Sequence, residues 1–303
     1  MDFRALLQAE RERRRMQSAG GTPASSAGGA AAVGAAPPAD ACAAARAQLR
    51  PPLTSPLLAQ RCAELEDLVH DDARRCAPLD WEALRVGARL PSIYLIRDFL
   101  SAEEERQILG VLHDDSAAAR DKWVLLKSRR LQSWGRHPDL PHAPMPAWLG
   151  SIAERLVDRG VFAEPPSHCL INAYATGQGV MLHEDGPSYR PRVATLSLGS
   201  RCVLRFHRRV ETTMTPEERR ALTATPVVSL VLPPRSAVIF TEAAYTDHLH
   251  GIRAVASEAI EPGAGFGVGE ELDGFALGDT LQRAPRTSLT FRHTKEEGEV
   301  IAY

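Results

Sequence analysis

Residues 194–206, ATLSLGSRCVLRF, decide the fold class. The runs 193–198 and 201–206 each have the length and apolar content of a strand, and Gly199-Ser200 between them is a two-residue hairpin signal. Working outward, residues 169–175, 227–232, 236–241 and 287–292 repeat the pattern of short strand-like runs between turn formers. Many short strands spaced this way predict a β-sandwich or jelly roll. Upstream, 92–99 (SIYLIRDF) and 122–127 (KWVLLK) predict further strands, and 146–161 a helix. Ser101 with Glu104 three residues later has the spacing of a capping box at a helix start. These helices precede the β-rich half and would cover one face of it, so the expected class is α+β.

Composition divides the 303 residues into three parts: 1–40, a helical preface over 41–87, and a main domain over 88–303. Residues 1–16 (MDFRALLQAERERRRM) predict a short basic amphipathic helix, with five arginines against three acids. Residues 17–39 are almost entirely Ala, Gly, Ser, Thr and Pro; without large side chains to offset chain ordering, they predict a disordered linker. A transit peptide would share that composition, but the acids of the first helix oppose it. Residues 43–86 show helical spacing, as in Leu57, Leu58, Cys62, Leu65 and Leu68. The 44% hydrophobic and 24% charged content is that of an ordinary globular chain. Apolar runs such as 227–232 are too short to span a bilayer, and no apolar stretch follows the N-terminus, so neither a membrane span nor a secretory signal is expected. Five cysteines without a CxxC pair argue against a disulfide framework or a cysteine zinc site and fit a reducing compartment. A net charge of -2 means that any nucleic-acid contact must come from a local basic patch.

The chemistry lies in INAYATGQGVMLHEDGP, residues 171–187. His183 and Asp185, two apart, project to one side of an extended backbone and could share a metal ion. Alone, such a tripeptide reads as a solvated loop. The run DHLHGIRA adds an imidazole from a second strand, His248 or His250, and local patterning does not choose between them. Two histidines and one carboxylate form the facial triad of non-haem Fe(II) oxygenases. In RTSLTFR, Arg286, Ser288 and Arg292 alternate along one strand face, where a pocket arginine would pair bidentately with a carboxylate such as that of 2-oxoglutarate; an edge-strand ladder of cations is the bland alternative.

With INAYATGQGVMLHEDGP, ATLSLGSRCVLRF, LPPRSAVIF, HLHGI and RTSLTFR in this order, residues 88–296 resemble the AlkB-type Fe(II)/2-oxoglutarate-dependent dioxygenases, and HEDGPSY, RRLQSWG and PPRSAVIF look closest to the AlkB homologue six subfamily. The resemblance implies a double-stranded β-helix (jelly-roll) core. It implies His183, Asp185 and His250 as iron ligands, the last favoured because Gly251 and Ile252 follow it. It implies Arg286 on the distal carboxylate of 2-oxoglutarate, Asn172 and Tyr174 as hydrogen-bonding partners of the co-substrate, and Arg292 near the metal end. Ser288 stands where some relatives carry Asn. The implied reaction consumes O2 and converts 2-oxoglutarate to succinate while hydroxylating a C–H bond; an N-methyl group hydroxylated in this way collapses to formaldehyde and the free amine. The segments 211–226 and 258–278 are insertions without an assigned role.

Between 121 and 136, Lys122, Lys127, Arg129, Arg130 and Arg136 face the single acid Asp121, with Trp123 and Trp134 interleaved. Six arginines and no acid lie between 186 and 210. Cations pair with phosphates and aromatics stack on exposed bases, so Lys127, Arg129, Arg130, Trp134 and Tyr189 are the candidate substrate contacts; a solvated face with core tryptophans reads the same residues blandly. Three functions follow. The first is oxidative demethylation of alkylated RNA or DNA bases, the second hydroxylation or demethylation of a protein side chain, and the third nucleic-acid binding around a metal site that does not turn over. The expected setting is a monomer in nucleus and cytoplasm, away from membranes, with the N-terminal basic helix free to dock a protein partner.

Overall fold

Burial is nearly continuous along the central strands of the β-rich half, so the sheet they form is covered on both faces. The computed structural model describes residues 56–70, 79–138, 142–209, 213–261, 264–266, 272–296 and 299; the predicted basic helix and linker of residues 1–40 lie outside them. Six helices are described: α1 (Pro56–His70), α2 (Ala102–Leu112), α3 (Ala117–Arg120), α4 (Ala147–Asp158), α5 (Pro216–Ala224) and α6 (Glu242–Thr246). None is long and apolar enough to cross a membrane.

The main sheet is built from β1 (Arg85–Val86), β2 (Ile93–Ile96), β3 (Val124–Leu126), β4 (Arg129–Gly135), β5 (His168–Tyr174), β7 (Tyr189–Gly199), β10 (Ala237–Thr241) and β14 (Arg286–Thr294). Its order is β1-β2-β10-β7-β14-β5-β4-β3. A smaller sheet has the order β6-β11-β8-β9, with β6 at Val180–His183, β8 at Cys202–Arg208, β9 at Val228–Leu232 and β11 at His248–Ile252. All these pairs are antiparallel. The two sheets form the expected jelly roll.

Period-two alternation sorts the side chains of the main sheet. Ala194, Leu196 and Leu198 of β7, with Leu289 and Phe291 of β14, pack with Leu58, Leu65, Ile108, Trp148 and Ile152 of the helices. On the opposite face, Val193, Val238 and Phe240 pack against Leu204, Phe206, Val228 and Ile252 of the smaller sheet. A third cluster, Val203, Val231, Ile260, Phe266 and Leu281, lies where β12 (Ser257–Ala259) pairs with β13 (Thr280–Gln282); Ile260 and Phe266 come to it from the 258–278 insertion. The helices are tied at one buried point. Glu104 accepts from the Ser101 backbone to complete the predicted capping box and also pairs with Arg155 at 2.5 Å. Arg155 in turn donates to the carbonyls of Val69 and Phe99.

The structure corrects two local expectations. Gly199-Ser200 is not a hairpin turn, because β7 and β8 belong to different sheets. β7 already has β10 and β14 on its two edges, so β8 has no free edge to pair with. Gly199 adopts φ +82°, and a Cβ there would come within 2.7 Å of the Pro285 carbonyl, so only glycine fits this corner between sheets. The helical reading of 43–86 fails at its end, where Arg85–Val86 is an edge strand paired with β2. The Asp80 carboxylate accepts from the Glu82 and Ala83 backbones and holds the chain in a turn instead. In α1, Leu58, Leu65 and Val69 are the buried stripe, while Leu57 is exposed.

Candidate functional site

The inner faces of the two sheets enclose a cavity that is polar at both ends. β14 sends Leu289 and Phe291 into the helix core, so Arg286, Ser288 and Thr290 face the cavity. Ser288 lies opposite Asn172 of β5, and Arg286 opposite Tyr174. From the smaller sheet come His183, at the end of β6, and His250, its direct cross-strand partner on β11. Their rings are 4.4 Å apart. Asp185 follows His183 by two residues, and the ligand atoms of all three lie within 4.8 Å of one another.

These residues fit a metal ion. His183 Nδ1 donates to the Met181 carbonyl, which fixes the tautomer and leaves Nε2 with a lone pair. Asp185 Oδ1 accepts from Arg292 at 2.5 Å, whereas its Oδ2 is buried with no hydrogen-bond partner and sits 3.9 Å from His250 Nε2. Burial lowers the pKa of His183, and that of His250 to about 3, helped for each by nearby cations, so both imidazoles are neutral at pH 7. Burial would raise the Asp185 pKa, but the Arg292 guanidinium holds it below the usual carboxylate value. Two neutral imidazoles and one carboxylate are the donors that a divalent iron takes.

His248 shares the β11 strand but is engaged elsewhere, its Nδ1 donating to the Ala243 carbonyl. The register therefore separates the two histidines that local patterning leaves equivalent. Gly251 sits beside His250 because a Cβ there would come within 3.0 Å of the Val180 carbonyl and Leu182 nitrogen of β6.

At the other end of the cavity, Arg286 is 3% exposed. Its Nη2 donates to Ser197 Oγ at 2.8 Å, its guanidinium lies over the Tyr174 ring at 5.7 Å, and its Nε has no partner. No carboxylate among the described residues pairs with it. Ser288 lines the cavity with Tyr174. Asn172 Oδ1 accepts from Arg129 Nε at 2.9 Å, leaving the Asn172 amide free to donate. The walls between are apolar, formed by Val180, Leu204, Phe240 and Ile252.

The candidate substrate contacts scatter. Arg129 lies inside the cavity beside Asn172 rather than on an outer surface. Arg130, one residue on, points to the opposite face of β4, over the Trp123 ring at 4.6 Å and bonded to His113. Trp134 faces the same way and packs on the helix core, donating to Gln132. Tyr189 is buried behind the metal cluster, its ring 4.1 Å from the Arg292 guanidinium and stacked on His168. Lys127 is exposed on the β3–β4 turn. Sequence reasoning missed Ser197, Thr195 and the apolar wall, because serines, threonines and aliphatics on a strand carry no local signal for what they face.

A family model described as the 2OG-Fe(II) oxygenase superfamily matches residues 113–292. A Danio rerio protein named probable RNA/DNA demethylase ALKBH6 is 36% identical over 224 residues, 71% of this chain and 91% of its own length. A Xenopus tropicalis protein named tRNA (carboxymethyluridine(34)-5-O)-methyltransferase alkbh8 is 28% identical over 218 residues, 68% of this chain but 32% of that protein. Among solved structures, OsALKBH1 superposes with a TM-score of 0.43 at 15% identity over 67% of this chain and 98% of its own.

Proposed function

The chain belongs to the 2OG-Fe(II) oxygenase superfamily, and from that premise we propose that it oxidatively demethylates alkylated bases of RNA or DNA. It is an AlkB-type dioxygenase using Fe(II), 2-oxoglutarate and O2. In this reading His183, Asp185 and His250 hold the iron, and Arg286 takes the distal carboxylate of 2-oxoglutarate. Bound iron supplies oxygen activation coupled to decarboxylation of the co-substrate, ending in hydroxylation of the substrate methyl group. The protein's own contribution is positioning. Arg292 keeps the Asp185 carboxylate ionised and oriented. Ser288 and Tyr174 with Asn172 and Arg129 offer hydrogen-bonding groups along the cavity, and Phe240, Leu204 and Ile252 exclude water between its ends.

The carrying observation is one buried cavity that holds both an unpartnered carboxylate oxygen inside a two-histidine cluster and a guanidinium without a carboxylate. Each lacks what Fe(II) and 2-oxoglutarate would bring. The nucleic-acid substrate is supported by the name of the 36%-identical relative. The free thiols of Cys62, Cys169 and Cys202 support the reducing setting of nucleus or cytoplasm. The test is succinate and formaldehyde release from methylated oligonucleotides against methylated peptides. Turnover with peptides alone would replace the nucleic-acid reading, and no co-substrate consumption with any substrate would remove the enzymatic one.

A further inference from the structure

We infer that the outer face of the smaller sheet carries a second site, a recess that binds a terminal phosphate group. On β8, Leu204 and Phe206 turn inward to the core between the sheets, so Arg205 and His207 point outward. They line a recess of about 320 Å³ with Ser128, Met181, Gly251 and Arg253. No acidic residue is among the described residues lining it. The recess is separated from the metal cavity by the strands that carry Val180 and Ile252, which line both.

Arg205 is 2% exposed, yet it is only partly satisfied. Its Nη1 donates to Glu258 Oε2 at 2.7 Å, while its Nε and Nη2 are buried with no partner among the described residues. Glu258 is shared, its other oxygen accepting from the buried Arg283 at 3.1 Å. Arg253 adds a third cation close enough to act on Arg205. Among the described residues one carboxylate thus answers three guanidiniums, a surplus of two positive charges. Buried N–H groups left unpaired are costly, and a ligand carrying acceptor oxygens would relieve them. His207 Nδ1 is likewise buried without a partner. Burial, with Arg205 and Arg253 nearby, pushes the His207 pKa down to about 4, so at pH 7 it can donate a hydrogen bond without adding charge.

Charge and depth together select the ligand class. The guanidiniums, the imidazole and the Ser128 hydroxyl can all donate, which suits an oxyanion. A guanidinium this deeply buried is reached by a group at the end of a molecule. A diester inside a nucleic-acid strand carries a sugar on each side and stays at the surface. A phosphomonoester also carries the two negative charges that the cluster lacks.

The test is calorimetric titration of the full chain with inorganic phosphate and with a nucleoside 5′-monophosphate, without iron or 2-oxoglutarate. Its failure is therefore independent of the proposed demethylation. Both probes should bind saturably. Arg205→Gln should weaken them about tenfold or more. Arg253→Ala, at an exposed position that leaves the fold intact, should weaken them by a smaller factor. Arg286→Ala, which removes the cation of the other cavity, should leave binding unchanged. Tighter binding of the monophosphate would identify a nucleotide-like source and equal affinity a free phosphate, and either supports the site. Displacement by an oligonucleotide without terminal phosphates would overturn the terminal-group reading. Absent binding, or binding unchanged in both Arg205→Gln and Arg253→Ala, would overturn the site.

Discussion

Replacing Arg286 with alanine should separate co-substrate binding from metal binding. In the folded chain Arg286 is 3% exposed, and its polar contact is to the neutral Ser197 hydroxyl. A dicarboxylate entering the cavity would meet a guanidinium already desolvated and aimed, so little is spent on ordering it. Losing one partner of such a shielded charge pair costs roughly 2–5 kcal/mol. At 1.4 kcal/mol per factor of ten, that is about 30-fold to several-thousand-fold in the dissociation constant. Arg129 faces the same cavity and retains part of the attraction, which places the expectation in the lower half, on the order of a hundredfold. Arg286→Lys should recover some affinity but not the bidentate component. Because the substitution removes a buried cation that no carboxylate balances, the melting temperature should not fall, and iron affinity should stay close to the parent's. The assay is 2-oxoglutarate binding by calorimetry beside succinate yield at saturating iron. An unchanged Michaelis constant for 2-oxoglutarate would refute the reasoning and move the carboxylate site to another cation.

The metal assignment predicts that His183→Ala, Asp185→Ala and His250→Ala each lose iron binding and succinate production, whereas His248→Ala keeps both at least in part; metal retained in the His250 variant but lost in the His248 variant would reverse it. Arg155→Met should destabilise the fold by about 3–5 kcal/mol, because it leaves the buried Glu104 carboxylate, still held by the Ser101 N–H, without the guanidinium that balances its charge. Denaturant melts of Arg155→Met, Glu104→Gln and the double variant should show strong non-additivity, and additive losses would mean that the pair acts as two independent residues. In metal-free protein, stability should fall as pH drops from about 7 toward 4. Burial holds His113 and His207 at about 4 and His250 at about 3 in the folded state. Between those values and the unfolded value near 6.5 the unfolded chain binds more protons, so acid favours unfolding. The depressed Asp185 acts in the same direction. A melting temperature flat from pH 7 to 4 would contradict these neutral buried imidazoles.

Residues 169–175, 193–198, 201–206 and 287–292 were legible as strands because alternation is a local property, written in every second side chain. The same alternation put Arg286 and Ser288 on one face, and the order of His183, Asp185 and His250 pointed to their chemistry before any contact was known. What the sequence by itself determined was therefore which residue types stand on which strand. Partner choice was not legible. Gly199-Ser200 looks like a hairpin, yet β7 finds β10 and β14 as neighbours, and the chain turns a corner into the other sheet. By local patterning His248 and His250 look equivalent, and the pairing of β11 with β6 sets His250 opposite His183. Arg129 and Arg130 look like one basic patch, and the pleat of β4 sends them to opposite sides of the sheet. In each case the deciding contact joins residues far apart in the chain, so no local pattern can encode it; it exists only once both strands have burial and hydrogen bonds that exclude the other registers.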